Sequence, residues 1–217
     1  MKQGDVIEKT KNYVRKKFSG ESTGHDWWHI YRVWKMARKI GKKEKADMFI
    51  VELGALLHDI ADFKFYSGDD TVGPRKASEW LRSLEVDDEE IKKVSHIIDN
   101  VSFKGAKVKS KMESLEGKIV QDADRLDAIG AIGISRTFAF GGSKHRPLYE
   151  PNVKPIIHKT FEEYKKGSAS TINHFYEKLL HVKDLMNTDT GKEIAQERHR
   201  FVEGYLKRFL EEWEGKK

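Results

Sequence analysis

Apolar residues recur along this chain at the three- and four-residue spacing of helices, almost without interruption. Val6, Thr10, Tyr13, Val14 and Phe18 mark a first amphipathic helix that ends near Ser19-Gly20. Trp27, Ile30, Tyr31, Val33, Trp34 and Ala37 form one apolar stripe. That stripe predicts a second helix over 26–39, with Asp26 suited to cap its start. The next segment, 47–59, is apolar on nearly every side (Phe49, Ile50, Val51, Leu53, Ala55, Leu56, Leu57), so this helix belongs at the centre of the fold. Further helices are expected over 75–84, 88–101 and 119–137. No strand-like alternation lasts more than a few residues, and no internal repeat is present.

Between 140 and 170 the pattern lapses. Gly141-Gly142 and three of the four prolines (Pro147, Pro151, Pro155) fall there, which predicts a long loop or lid. Lys144, His145 and Arg146 are the cations that such a lid would bring over a nucleotide. Helical spacing returns over 171–186 and 190–213. The last helix opens on what reads as a capping box, Thr190 with Glu193 three residues on. The expectation is an all-α fold in a single domain spanning 1–217.

Composition narrows the picture. A length of 217 residues suits one domain, and 38% hydrophobic with 11% aromatic residues supports a real core. No apolar run approaches the roughly 18 residues of a membrane span. The opening MKQGDVIEKTKNYVRKK has no apolar signal-peptide region. The complete lack of cysteine excludes disulfides, zinc–thiolate sites, iron–sulfur clusters and thiol nucleophiles. A cytoplasmic protein with no membrane partner is expected.

The 41 Lys and Arg against 35 Asp and Glu leave a formal charge of +6. Both signs are interleaved, and the densest basic runs, 35–45 and 104–111, are broken by Glu44 and by Gly105-Ala106. Nucleic acid is therefore not the expected partner, whereas a small anionic substrate such as a nucleotide suits the balance. Nothing in the pattern fixes an oligomeric state.

The chemistry concentrates where polar groups interrupt apolar helices. His58-Asp59 closes the most buried helix, and buried polar groups need hydrogen bonds or a metal. Neighbouring helical residues project about 100° apart, so this pair can grip one ion only from a helix end. His29 shares a helix with an apolar stripe, and Asp122, Asp124 and Asp127 are set into another. Imidazoles and carboxylates without thiolate describe a mixed N/O site, suited to Mn²⁺, Fe²⁺, Co²⁺, Ni²⁺ or Mg²⁺ with open water positions. Plainer readings stand beside each residue. His29 alone fits a hydrogen-bonded core histidine, and Asp122 fits a carboxylate placed by the helix dipole. Trp27, Trp28 and Trp34 read as core packing. His96, flanked by Val94, Ile97 and Ile98, reads as core or substrate-side, and His25, just before Asp26-Trp27, reads as a residue bordering the site. His145, His158, His174, His181 and His199 read as structural or surface residues.

In this order, the His … His-Asp … Asp set resembles the HD-domain metal-dependent phosphohydrolases. More closely, it resembles the small stand-alone bacterial HD hydrolases of the YedJ/YpgQ type. The motifs are GHDWWHIYRVWKMA (24–37), GALLHDIADFKF (54–65), EGKIVQDADRLDAIGAIGISRTFAFGG (116–142), TINHFYEKLL (171–180) and LMNTDTGKEIAQERHRF (185–201). The resemblance implies an HD core over about 22–130 with a helical extension over 131–217. It implies His29, His58, Asp59 and Asp124 as metal ligands, with Asp122 the competitor for the last place. It also implies Asp62, three past the doublet, as the catalytic group near the attacking water.

A divalent ion lowers the pKa of its water, and phosphoryl transfer further needs cations at the phosphate oxygens. Arg32, Lys64, Lys104 and Arg125 are the candidates by their place beside the motifs. For Arg125 an ion pair with Asp122 or Asp127 is the alternative, and for Lys104 a solvated loop. The resemblance implies hydrolysis of nucleotides, with pyrophosphate release from nucleoside triphosphates. The alternatives are a phosphomonoesterase or phosphodiesterase of the same fold, and a non-catalytic metal or nucleotide sensor.

Overall fold

The computed structural model describes residues 1–19, 26–61, 71–101, 112–156 and 169–217. They form two compact units, one running through Val101 and resuming up to Ala123, the other from Asp124 to Lys217. All regular structure among the described residues is helical, as the spacing predicts.

The first unit is built around α3 (Met48–Leu57), eight of whose ten residues are buried. Helices α1 (Gln3–Lys17), α2 (Trp27–Glu44) and α5 (Asp88–Val101) pack on it, and α4 (Val72–Ser83) packs on α5. An almost wholly apolar helix can be satisfied only in this enclosed position. Its start is fixed twice over. The Asp47 carboxylate accepts from the amides of Phe49 (3.0 Å) and Ile50 (3.4 Å), while the Asp47 amide donates to Glu116 (3.1 Å). At Gly54 the neighbours come close: a Cβ there would lie 3.3 Å from side-chain carbons of Ile97 and Val120. Buried Gln121 donates to the carbonyls of Asn100 (3.2 Å) and Val101 (3.5 Å), satisfying acceptors at the end of α5. Tyr13 of α1 stacks on Trp80 of α4 at 4.0 Å, and the Trp80 indole donates to Thr10.

The second unit corrects four expectations. The helix predicted over 119–137 is two helices, α6 (Leu115–Asp127) and α7 (Gly130–Ser143). The chain turns at Gly130, whose φ of 77° only glycine adopts without strain. Arg198 from the last helix packs over that glycine and donates to the Leu126 carbonyl at 2.5 Å. A tertiary contact thus replaces the helical hydrogen bonds that the break removes.

The predicted loop from 140 also starts later, because α7 carries on through Gly141-Gly142. Beyond it, the stretch to Ile156 is tied to the start of α8 (Thr171–Glu177). Thr171 and Ile172 amides donate to the carbonyls of Pro147 (2.9 Å) and Leu148 (3.1 Å), and Asn173 donates to Val153 (3.0 Å). Lys144 and Arg146 lie 5.8 and 6.0 Å from the Phe140 ring centre. The remainder of that stretch, 157–168, lies outside the described residues.

The helix expected over 171–186 is α8 followed by a 3-10 helix, Leu179–Leu185. The last helix, α9 (Asp189–Trp213), is capped by Thr188, which accepts from Gly191 at 3.0 Å, and not by Thr190. Thr190 is instead buried within the first turn. Aromatic rings of Phe138, Phe175, Tyr205 and Phe209 pack within this unit at centroid distances of 5.8–6.3 Å. Among the described residues, no helix is long and apolar enough to cross a membrane.

Candidate metal centre

Two helix ends in the first unit present the predicted ligands to each other. Asp26 caps α2, its carboxylate accepting from the amide of His29 at 2.8 Å, as its residue type predicts. His29 therefore projects from the first turn of α2, where its side chain is almost fully buried. Helix α3 ends at Leu57, so His58 and Asp59 occupy the turn that follows it. This placement at a helix end lets consecutive residues aim at one point.

His58 is held by its own helix. Its Nδ1 lies 2.8 Å from the Ala55 carbonyl oxygen, which can only accept, so Nδ1 carries the proton. In the neutral ring Nε2 is then the unprotonated nitrogen, the form a metal requires. The carbonyl three residues back was not anticipated from sequence, although a histidine just past a helix end is the available signal for it.

The three ligating atoms form a nearly regular triangle. His58 Nε2 is 3.3 Å from His29 Nε2, and Asp59 Oδ2 is 3.5 Å from each of them. The imidazole planes meet at 67°, so the rings converge on the point from different directions. Corners of such a triangle lie about 2 Å from its centre, which matches the roughly 2.0–2.2 Å bonds of a first-row divalent ion to imidazole and carboxylate. Two histidines and one carboxylate on one face of an ion leave the other face open to water and substrate. The donor set therefore fits the divalent metal expected from sequence. Both imidazoles are buried, whereas the Asp59 side chain is 19% exposed, so the approach from solvent lies on the aspartate side.

The other sequence candidates are distributed as follows. Asp122 and Asp124 lie two residues apart on α6, the first with no exposed surface and the second half-buried. Arg32 is half-buried on α2, one turn beyond His29. The Arg125 guanidinium donates to the Leu185 carbonyl, and the Asp127 partner is Arg136 at 2.6 Å, so Arg125 has an acceptor the sequence did not suggest. His96 is exposed on α5. It borders a cavity of about 350 Å³ with Asp47 and Ile50, residues at the opposite end of α3 from His58. Trp27 and Trp34 are core residues as expected, but Trp28 is not: it is 58% exposed and touches Tyr31 edge-on. It lies on the solvent side of α2, a face the apolar stripe of Trp27, Ile30 and Trp34 does not include. His25, Asp62, Lys64 and Lys104 lie outside the described residues.

Comparison with known proteins identifies the family. Residues 27–129 match the HD domain family. Over 205 residues the chain is 43% identical to the YpgQ protein of Bacillus subtilis (strain 168), covering 93% of this chain and 91% of that protein. Among solved structures, an HD-superfamily hydrolase from Bacillus thuringiensis superposes with a TM-score of 0.78 at 44% identity, covering 98% of this chain and 99% of the other. The Bacillus subtilis YpgQ structure in complex with ADP superposes with a TM-score of 0.73 at 40% identity, covering 95% and 96%. On this likeness over nearly its whole length, and on its His29, His58 and Asp59 cluster, the chain belongs to the HD-domain family.

Proposed function

We propose that this protein is a divalent-metal-dependent phosphohydrolase of the cytoplasm that cleaves nucleoside triphosphates between the α- and β-phosphates, releasing pyrophosphate. The observation that carries the proposal is the convergence of His29 Nε2, His58 Nε2 and Asp59 Oδ2 within 3.5 Å. ADP in the related YpgQ structure supports a nucleotide as the substrate class.

When bound, a divalent ion supplies a water of lowered pKa and positive charge for phosphate oxygens. His29, His58 and Asp59 hold it, with Asp124 as the fourth ligand on the family pattern and Asp122 as the alternative. Asp62 orients the attacking water or takes its proton. That oxygen bonds to the α-phosphorus as the bond from it to the bridging oxygen breaks, and pyrophosphate leaves. Arg32, Lys64, Lys104 and Arg125 are the proposed cations for the phosphate oxygens, and Arg125 must release the Leu185 carbonyl to serve.

The test couples metal to turnover. Chelator-stripped protein is resupplied with Mn²⁺, Mg²⁺, Co²⁺ or Ni²⁺ and offered nucleoside mono-, di- and triphosphates and a generic phosphodiester. Metal-restored pyrophosphate release, abolished in His58→Ala and Asp59→Ala, is the expected result. Orthophosphate as the product replaces the proposed bond with that of a phosphomonoesterase. Metal binding without turnover of any substrate overturns the enzyme reading, and failure to bind metal overturns the whole proposal.

A further inference from the structure

We infer that Asp26 is a positioning residue of the metal centre, setting metal affinity through the backbone of His29. The inference rests on the proposed reading of the His29, His58 and Asp59 cluster as a metal site.

The geometry is direct. Asp26 has extended backbone angles (φ −80°, ψ 173°), and its carboxylate accepts from the amide of His29, the third residue of α2, at 2.8 Å. The first four amides of a helix lack partners within it, and the capping side chain satisfies one of them. Here the amide satisfied belongs to the ligand itself. On the far side of the same residue, the ring nitrogen stands 3.3 Å from His58 Nε2 and 3.5 Å from Asp59 Oδ2. One residue is therefore held at its backbone by a carboxylate and aimed with its ring at the cluster.

The other two ligands are held differently. His58 and Asp59 follow an apolar helix enclosed in the core, and the Ala55 carbonyl orients His58. His29 lies instead in the first turn of its helix. The turn that carries it begins at Trp27, and Trp28 in that turn faces solvent. First turns are where helices fray, and binding to a site weakens by the fraction of molecules in which that site is formed. Removal of the cap lowers that fraction before metal arrives, and the lowered fraction appears as weaker binding.

The experiment is a titration of Mn²⁺ into chelator-stripped full-length protein, followed by calorimetry, for wild type and a series at Asp26. Asn and Ser cap about as well as Asp, Thr less well, and Ala poorly. Affinity is expected to follow that order. Asp26→Asn and Asp26→Ser stay within about twofold of wild type, and Asp26→Ala falls about five- to tenfold. The control is Thr188→Ala, which removes the equivalent cap from α9 and is expected to leave affinity unchanged.

A fall in Thr188→Ala equal to that in Asp26→Ala overturns the inference, since general loosening would then explain both. Unchanged affinity in Asp26→Ala overturns it as well. A full loss in Asp26→Asn overturns it in favour of a direct role for the charge. If Asp26→Ala does not fold, the order Asn, Ser, Thr alone decides the matter. Absence of Mn²⁺ binding by the wild type is a different failure: it removes the metal reading of the cluster itself.

Discussion

Two clusters of buried polar groups in this protein look alike on paper and differ in what their atoms can give each other. At the start of α7, Arg136 donates to Asp127 at 2.6 Å, Arg198 donates to the Leu126 carbonyl, and Arg125 to the Leu185 carbonyl. Every one of these contacts joins a cation or its N–H to an acceptor. Burial lowers the pKa of Arg198, and the nearby Asp127 carboxylate works against that shift. Such a cluster is complete in itself. At the ends of α2 and α3 the facing atoms are Nε2, Nε2 and Oδ2, and His58 Nδ1 donates to the Ala55 carbonyl. Three atoms able to ligate a metal converge there at 3.3–3.5 Å. The comparison sets guanidinium–acceptor pairs, which serve the fold, beside a convergence of two imidazoles and a carboxylate, a donor set that a metal can use.

The contrast can be broken most sharply at the imidazole–carboxylate cluster. Asp59→Asn should weaken Mn²⁺ binding by at least about a hundredfold, more than loss of an outer partner costs. The stability of the metal-free protein should change by less than about 1 kcal/mol, because the side chain is partly exposed and keeps its shape. A large loss of metal-free stability, measured by urea unfolding, would show the aspartate to be a structural partner like Asp127.

At the self-complete cluster the signs reverse. Asp127→Asn leaves the guanidinium of Arg136 without its charged partner and should lower unfolding free energy by about 2 kcal/mol. The same variant with unaltered urea stability would refute the structural reading. The smallest effect is expected at Gly54→Ala. Alanine gains up to about 1 kcal/mol of helix propensity, while its methyl group at 3.3 Å from Ile97 and Val120 costs a similar amount. Thermal unfolding within about 2 °C of wild type is the outcome that agrees, on the scale of a few tenths of a kcal/mol.

Much of the metal-bearing region is legible in the sequence because its signals are local. Asp26 before an apolar stripe marks a cap, and a helix apolar all round that ends in His58-Asp59 marks a buried polar terminus. The second unit is less legible because its decisive contacts are distant in sequence. The apolar spacing of 119–137 carries straight through Gly130, and only Arg198, from the far end of the chain, completes the break. Thr188 and Thr190 are equally good caps by type and both are buried, so neither residue type nor burial marks which of them starts the helix. Trp28 reads as core by composition, yet adjacent residues on a helix point different ways, and Trp27 takes the inward place. Arg125 was readable as a cation but not as a donor to a carbonyl sixty residues on.

Helix α3 has a consequence for how this sequence can change over generations. Eight of its ten residues are core, and the two residues after its last turn are both in the cluster. A change of side-chain volume at Gly54, Ile97 or Val120 bears on the rod to which both are attached, so packing there is tied to the geometry of the cluster as well as to folding. Neutral drift at those three positions is therefore expected to occur jointly, with a gain in bulk at one matched by a loss at another.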